Sequence, residues 1–514
     1  MYSTILSGAI YGMESYLVQV EVDMSPGLPC FAMVGSLSGE VKESGERVRV
    51  ALKNIGIHLP PMHIAVNLSP ADLRKEGTAF DLPIAIGVLV SMEYLKKEDV
   101  EGTLLIGELG LNGEIKPVKG VLPIVRTACK LGTKNCIVPK GNEREAGMIG
   151  KAEVFASSHL QKVIEFLKEK PDKRQRIIAP YRTKEMPRER DEGADFADII
   201  GQEGAKRAAV IAASGFHNML IMGPPGSGKT MIAKRIPSIL PPLSEEESLE
   251  VAAVYSIAGM LDEKNPVTKK RPFLSPHHTI SPYALTGGGK RPKPGIISLS
   301  HRGVLFLDEL PEFKRQTLDI LRQPLEDKKV QIARTYGTFS YPADFMLIGA
   351  MNPCPCGYYP DRNRCRCTPY EIHNYISHLS GPILDRIDIC VEAPKIEIER
   401  LQGGEKGESS KMLRAKVMAA RERQRERYTG TAFRFNADLG PGDMERYCPL
   451  GAEEKKMMEA MFRTLDLSAR AYHKVIKVAR TIADLEGDLE IKKEHLTEAV
   501  CYYSAGEKVF DGGK

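Results

Sequence analysis

Gly223-Pro224-Pro225-Gly226-Ser227-Gly228-Lys229-Thr230 is the stretch on which the fold of this chain turns. It has the spacing G-x-x-x-x-G-K-[ST]. Glycines in that pattern let backbone N–H groups curl round phosphate oxygens. The lysine reaches the β- and γ-phosphates, and the threonine hydroxyl ligates magnesium. The apolar run Met219–Met222 precedes the octet and a helical stretch, 231–236, follows it. Strand, glycine loop and helix in that order predict a P-loop nucleotide site. All eight residues are expected to bind the cofactor, ATP with magnesium.

Farther along, Gly303-Val304-Leu305-Phe306-Leu307 runs into Asp308-Glu309. Buried parallel strands read as continuous apolar runs. One that ends in paired acids predicts the second half of the site. Asp308 is expected to share the magnesium with Thr230, and Glu309 to polarise the attacking water. A third apolar run, 346–350, leads to Asn352. Its amide is suited to hydrogen-bond the γ-phosphate or the water; a plain turn former is the alternative. Lys229, Asp308, Glu309 and Asn352 are thus candidate catalytic residues.

The chain has 514 residues, enough for about three domains. Hydrophobic residues make up 42% and charged residues 27%, which excludes a mainly disordered chain. No apolar run approaches the roughly 18 residues of a membrane span, so no membrane partner is expected. Met1-Tyr2-Ser3-Thr4 does not open a secretory signal. A net charge of +5 neither demands nor excludes nucleic acid. Residues 1–168 read as mixed α and β, with strands at 17–22 and 64–68 and a helix at 40–55. A charged linker, 169–194, leads to the nucleotide core, 195–393. The remainder, 394–514, reads as helical, with helices at 411–428, 452–465, 469–486 and near 493–505.

These motifs together resemble the AAA+ ATPases, and the fold expected is an α/β multidomain chain: a P-loop parallel-sheet core with a helical lid. Phe196-Ala197-Asp198-Ile199-Ile200-Gly201-Gln202 resembles the adenine-side motif of that family, which implies that Ile200 contacts the base. Asn352 matches sensor 1. Gly381-Pro382-Ile383-Leu384-Asp385-Arg386-Ile387-Asp388 resembles the arginine-finger segment of the magnesium-chelatase and MCM branch. The resemblance implies that Arg386 enters the neighbouring subunit's ATP site, where a guanidinium fork stabilises charge on the γ-phosphate. A surface ion pair with Asp385 or Asp388 is the plain alternative. Ser468-Ala469-Arg470 resembles sensor 2, with Arg480 on the same helix as its competitor.

A narrower resemblance covers nearly the whole chain. Arg271-Pro272-Phe273-Leu274-Ser275-Pro276-His277-His278-Thr279, Gly287-Gly288-Gly289, Pro294-Gly295 and Asn352-Pro353-Cys354-Pro355-Cys356-Gly357 resemble the magnesium-chelatase-like proteins of the ComM/YifB group. That resemblance implies a bacterial, cytoplasmic homo-hexamer. It implies a DNA helicase that drives branch migration when transforming DNA is taken up and integrated, with branched or single-stranded DNA as partner.

Residues 1–168 resemble the α+β Lon-protease-like domain. Asn67-Leu68-Ser69-Pro70-Ala71-Asp72 leads to Lys75-Glu76-Gly77-Thr78-Ala79-Phe80-Asp81, where Ala79 stands at the nucleophilic serine's place. Lys119-Gly120-Val121-Leu122 puts Leu122 at the place of the dyad lysine. A Ser–Lys dyad needs a hydroxyl and an amine in contact, so no peptidase activity is expected. Ring assembly or DNA binding is the expected role of this domain.

Cys354, Cys356, Cys365 and Cys367 cluster within one loop, which suits a cytosolic, reducing setting. Four thiolates can close a tetrahedral zinc site. Free thiols in a packed loop and a redox pair remain open, and His373 can replace one thiol. His277 and His278 read as loop or DNA-contact residues rather than ligands of one ion. The loop 287–295 is flexible and basic and suits a pore that tracks phosphates. A hairpin at 328–344, with Arg334, Thr335, Tyr336 and Gly337 near its tip, is a second pore candidate. Two functions stand at this point: a hexameric ATP-driven DNA motor, and a chelatase-type or chaperone-like ATPase that remodels a protein partner.

Overall fold

The structure is a computed structural model that describes residues 1–171, 173–181, 194–262, 266, 268–289, 292–335, 337–395 and 407–510. Most of the expected linker, part of the loop before Lys411, Lys290, Arg291 and Tyr336 lie outside the described residues. The chain forms two compact units. One comprises Met1–Glu189, Glu245–Thr268 and Gln331–Tyr341; the other comprises Arg190–Ser244, Lys269–Val330 and Pro342–Lys514.

The first unit is built on an eight-stranded mixed sheet. Its strands are β1 (Tyr2–Tyr11), β2 (Glu14–Ser25), β3 (Cys30–Val34), β4 (His63–Ser69), β5 (Thr103–Leu105), β6 (Asn135–Pro139), β7 (Glu153–Ser157) and β8 (Pro180–Tyr181). They lie in the order β8-β7-β6-β5-β1-β2-β4-β3. Val18, Val20, Val22 and Met24 alternate into the core along β2, as the period of two requires. The helix Asp81–Ser91 is buried along its whole length. Its one carboxylate, Asp81, is held by Arg47 Nε at 2.7 Å. The expected helix at 40–55 is interrupted at Glu43, giving Gly39–Lys42 and Ser44–Asn54.

Two segments of the nucleotide-binding sequence belong to this first unit. The helix Glu245–Ala258 packs Ala252 and Ala253 on Leu122, and Ser256 bonds Glu145 at 2.5 Å. The hairpin Lys329–Arg334 and Gly337–Pro342 has Phe339 against Tyr11, ring centroids 4.7 Å apart. On its Gly337 side the hairpin packs against the end of β1.

The second unit carries a five-stranded sheet of β9 (Met219–Met222), β10 (Phe273–Leu274), β11 (Val304–Leu307), β12 (Met346–Met351) and β13 (Ile389–Glu392). The order is β10-β11-β12-β9-β13, and every pairing is parallel. All five strands thus end on the same edge, where loops from β9, β11 and β12 meet. The residues of β9, β11 and β12 are fully buried, which is why their sequences are unbroken apolar runs. Helices Ser410–Arg427, Ala452–Thr464, Ala469–Glu486 and Lys493–Phe510 follow. Ser409 and Ser468 cap the first and third of these, accepting from Met412 and Ala471 N–H groups. The mixed α/β class with a parallel-sheet core and helices is as expected. Among the described residues no helix is long and apolar enough to cross a membrane.

Candidate nucleotide site

The glycine loop joins β9 to the helix Lys229–Ile239. Gly226 and Gly228 have φ of +76° and +89°, and no atom lies within 4 Å of a Cβ built at either. Their glycines are therefore needed for backbone conformation, and the space above them is open for a phosphate. Ser227 Oγ is buried without a hydrogen-bond partner among the described residues. The open space above Gly226 and Gly228 fits a phosphate.

Lys229 Nζ donates to the carbonyls of Gly223 and Pro224 at 2.8 and 2.9 Å and to Asn352 Oδ1 at 3.1 Å. Burial pushes this ammonium's pKa down, against the opposing pull of Asp308 and Glu309. The lysine is thus desolvated and held by neutral acceptors, a state that favours an incoming anion. Thr230 Oγ1 donates to Asp308 Oδ2 at 2.7 Å. A hydroxyl and a carboxylate at this spacing fit the outer contacts of a magnesium ion. Glu309 stands in the left-handed region at φ 52° and is solvent-exposed, with His278 Nδ1 3.5 Å from its carboxylate. The order of strands explains the grouping: β12 lies between β9 and β11, so Asn352 sits between Lys229 and the acid pair.

Ile200 is half-buried on the segment leading to the helix Glu203–Gly215. That segment is tied to the glycine loop by Gln202, whose Nε2 donates to Ser227 O and Pro394 O at 2.9 and 2.6 Å. Gln202 is a site residue not singled out from sequence; its φ of 60°, unusual for a non-glycine, is not legible there.

The structure places Arg386 and Arg470 elsewhere. Both guanidinium groups converge on Glu326, Arg470 at 2.8 Å, and Arg470 also reaches Asp385 at 3.4 Å. The Arg386 guanidinium, followed by that of Arg470, holds the Glu326 carboxyl below its usual range. They line a cleft of about 720 Å³ with Asn218, Lys474 and Lys477. Asn218 precedes β9 and its Nδ2 donates to Arg386 O at 2.8 Å. The glycine loop follows the other end of β9. The two arginines and the loop are therefore separated by the length of a buried strand. Arg480 is 2% exposed and donates to Leu489 O and Asp488 O at 2.7 and 2.6 Å, capping the end of its own helix. It is engaged inside the helical layer, whereas Arg470 faces the cleft.

Cys354, Cys356, Cys365 and Cys367 have all four sulfur atoms within 4.8 Å of one another. His373 is exposed on the helix Pro369–Ser377 and is not part of that group. Gly287–Gly288 pairs with Lys293–Pro294 as a small antiparallel ribbon, and Lys290 and Arg291 of the expected basic loop lie outside the described residues. In the first unit, Ala79 packs among apolar side chains and Leu122 is 1% exposed.

A parallel sheet in this order, with a glycine loop, an acid pair and an asparagine on three adjacent strand ends, defines a magnesium-chelatase-like AAA+ ATPase. Residues 195–401 match the family described as magnesium chelatase, subunit ChlI. Residues 20–142 match subunit ChlI of Mg-chelatase, and residues 407–503 match the magnesium chelatase subunit ChlI C-terminal family. The uncharacterised protein YifB of Salmonella typhimurium is 44% identical over 96% of this chain and 95% of its own. Competence protein ComM of Haemophilus influenzae is 43% identical over 97% of this chain and 96% of its own. The magnesium-chelatase 38 kDa subunit of Cereibacter sphaeroides is 26% identical over 31% of this chain and 52% of its own. The chain belongs to the ComM/YifB family of magnesium-chelatase-like proteins.

Proposed function

We propose that the protein is a ring-forming, homo-hexameric ATP-driven DNA motor that promotes branch migration of branched or single-stranded DNA in recombination or transformation. The observation that carries the ring is the placement of Arg386 and Arg470 at the far end of β9 from the glycine loop. An arginine there cannot serve its own chain's phosphates, but it can serve those of a neighbouring subunit. The site is then complete only between two subunits. DNA as the track is supported by the full-length likeness to competence protein ComM. The sequence 287–295 carries Lys290, Arg291 and Lys293, charges suited to phosphates.

Within this reading Gly226, Ser227 and Gly228 cradle the phosphates, and Lys229 moves from its carbonyl partners to the β- and γ-oxygens. Thr230 and Asp308 hold magnesium, which neutralises phosphate charge when bound. Glu309 takes up the proton of the attacking water, oriented by Asn352. Ile200 contacts the base. Four thiolates at 354–367 hold a structural zinc ion. The domain organisation follows: 1–168 as a Lon-protease-like domain without its dyad, a linker at 169–194, the ATPase core at 195–393 and the helical lid at 394–514, all in the cytoplasm.

The test is ATP-dependent migration of a labelled four-way DNA junction by the full chain, with Glu309→Gln as control. Movement by wild type and none by the variant is the expected result. Hydrolysis without movement of any branched DNA overturns the DNA reading. In that case the second reading gains: a chelatase-type or chaperone-like motor acting on a protein, favoured by the three magnesium-chelatase matches along the chain.

A further inference from the structure

The loop that follows Asn352 carries a four-sulfur constellation whose spacing is specific. Cys354 Sγ lies 3.4 Å from Cys356 Sγ and 3.8 Å from Cys365 Sγ, and Cys356 to Cys365 is 3.6 Å. Zn–S bonds of about 2.3 Å in a tetrahedron put sulfur atoms roughly 3.8 Å apart. The sulfurs of Cys354, Cys356 and Cys365 therefore stand close to the separations a zinc ion imposes, and that of Cys367 lies within 4.8 Å of them. Cys354 and Cys365 are buried, and the backbone N–H groups of Gly357 and Tyr359 donate to Cys354 Sγ at 3.2 and 3.4 Å. Backbone donors to a sulfur stabilise its thiolate form and orient it as a ligand.

The turn these ligands fix is in contact with the ATP site. Gly357 has φ +84°, and a Cβ built on it would collide with the Pro225 ring of the glycine loop. The same Cβ would lie 3.6 Å from Asn352 Cγ. Gly357 thus packs against the phosphate loop and lies beside the residue that bonds Lys229. Only four residues separate Asn352 from Gly357, the last member of the Cys354–Gly357 turn.

We propose that Cys354, Cys356, Cys365 and Cys367 bind one zinc ion that clamps the turn through Gly357 onto Pro225 and Asn352, so that ATP affinity depends on the metal. This rests on the glycine loop being the ATP site; it does not rest on DNA being the track. The zinc fixes Cys354 and Cys356, these fix Gly357, and Gly357 sets the position of the loop that receives the phosphates. Without the ion four thiols relax apart and the turn loses its anchor.

The experiment uses the full-length protein, purified without a metal-binding tag. Elemental analysis is expected to give about one zinc per chain, as a closed four-thiolate site holds. The ion is then released with a mercurial and returned, while affinity for a fluorescent ATP analogue is followed. Release is expected to weaken binding by about tenfold, within the usual range for coupled sites, and added zinc to restore it. Gly357→Ala is expected to keep its zinc yet bind the analogue more weakly, which isolates the contact from the metal. Circular dichroism checks that each species is folded. If Cys356→Ser with Cys367→Ser does not fold, the zinc count and reversible release on wild type still decide. No zinc, or iron in its place, overturns the site. Zinc present but released without change in affinity overturns the coupling. A zinc-loaded protein that binds no ATP analogue overturns the ATP reading and leaves the metal site standing.

Discussion

Lys229 Nζ donates to Asn352 Oδ1 at 3.1 Å, joining the glycine loop to the end of the neighbouring strand β12. The bond exists only because β12 lies between β9 and β11. In the proposed function, an arriving γ-phosphate competes with Asn352 for the same ammonium. The asparagine amide then becomes available to the water. Asn352→Ala is expected to leave ATP affinity within about threefold and to lower kcat by about a hundredfold, the effect of removing one positioned polar group. Analogue binding and steady-state hydrolysis measure the two. Lost affinity with kcat unchanged would place Asn352 in binding alone.

Arg386 and Arg470 share the carboxylate of Glu326 at the opposite end of β9 from the loop. If Arg386 serves a neighbour, two inactive variants complement each other. Arg386→Ala is expected to lower hydrolysis by at least about a thousandfold, as for an arginine finger, with ATP still bound. Glu309→Gln is expected to be inactive for a different reason. Rings mixed from the two contain some sites with a wild-type Glu309 facing a wild-type Arg386. Hydrolysis should reappear on mixing. No recovery in rings shown to exchange subunits would mean that Arg386 acts within its own chain.

The nucleotide half of this protein was legible because its chemistry is local in sequence. A glycine loop, a run of buried strand residues and paired acids each occupy a few consecutive positions, and β9, β11 and β12 fall where their apolar runs are. The helices at 469–486 and 452–464 were legible from period and from caps such as Ser468. What the sequence did not disclose depends on distant partners. Glu326, which collects both arginines, carries no local signal. Gln202 anchors the base-side segment through a left-handed backbone that no neighbour specifies. The helix Glu245–Ala258 lies between motifs of the ATPase core yet packs with Leu122 of the first unit, because Ala252 and Ala253 offer a flat apolar face.

That packing gives Leu122 a structural duty at the position where the Lon-like resemblance would put a dyad lysine. It is 1% exposed and meets Ala252 and Ala253. Its N–H donates to Glu145 Oε1 at 2.9 Å. Burial pushes the Glu145 carboxyl upward, and its bonds to Ser256 and the Leu122 N–H act against that. Leu122→Lys, which restores only the amine of a dyad, is expected to cost about 2–4 kcal/mol by burying an ammonium in an apolar contact. Urea unfolding monitors the loss. Neither this variant nor wild type is expected to cleave casein, since Ala79 supplies no hydroxyl. A serine-reagent-sensitive protease activity in wild type would contradict this account.

Asp388 links the end of the segment 381–388 to the helix Ala469–Glu486. Its Oδ2 meets His217 Nδ1 at 3.2 Å, and His217 Nε2 bonds Thr481 Oγ1 at 2.7 Å. Burial pushes the Asp388 pKa up, but the His217 hydrogen bond and the charges of Lys477 and Lys474 outweigh it and bring it down to about 2. An unfolded aspartate titrates near 3.9. A folded value below the unfolded one means that the ionised form favours folding. The contribution is therefore complete above about pH 4 and is lost as pH falls from there through about 2. Its size is about 2–3 kcal/mol. Asp388→Asn is expected to be less stable than wild type at pH 7 by about that amount, with the gap closing as pH falls below 4. Urea unfolding of both proteins, followed from pH 7 to the acid limit of folding, measures it. A gap that stays constant with pH would show that packing around Asp388, rather than its charge, holds the segment to the helix.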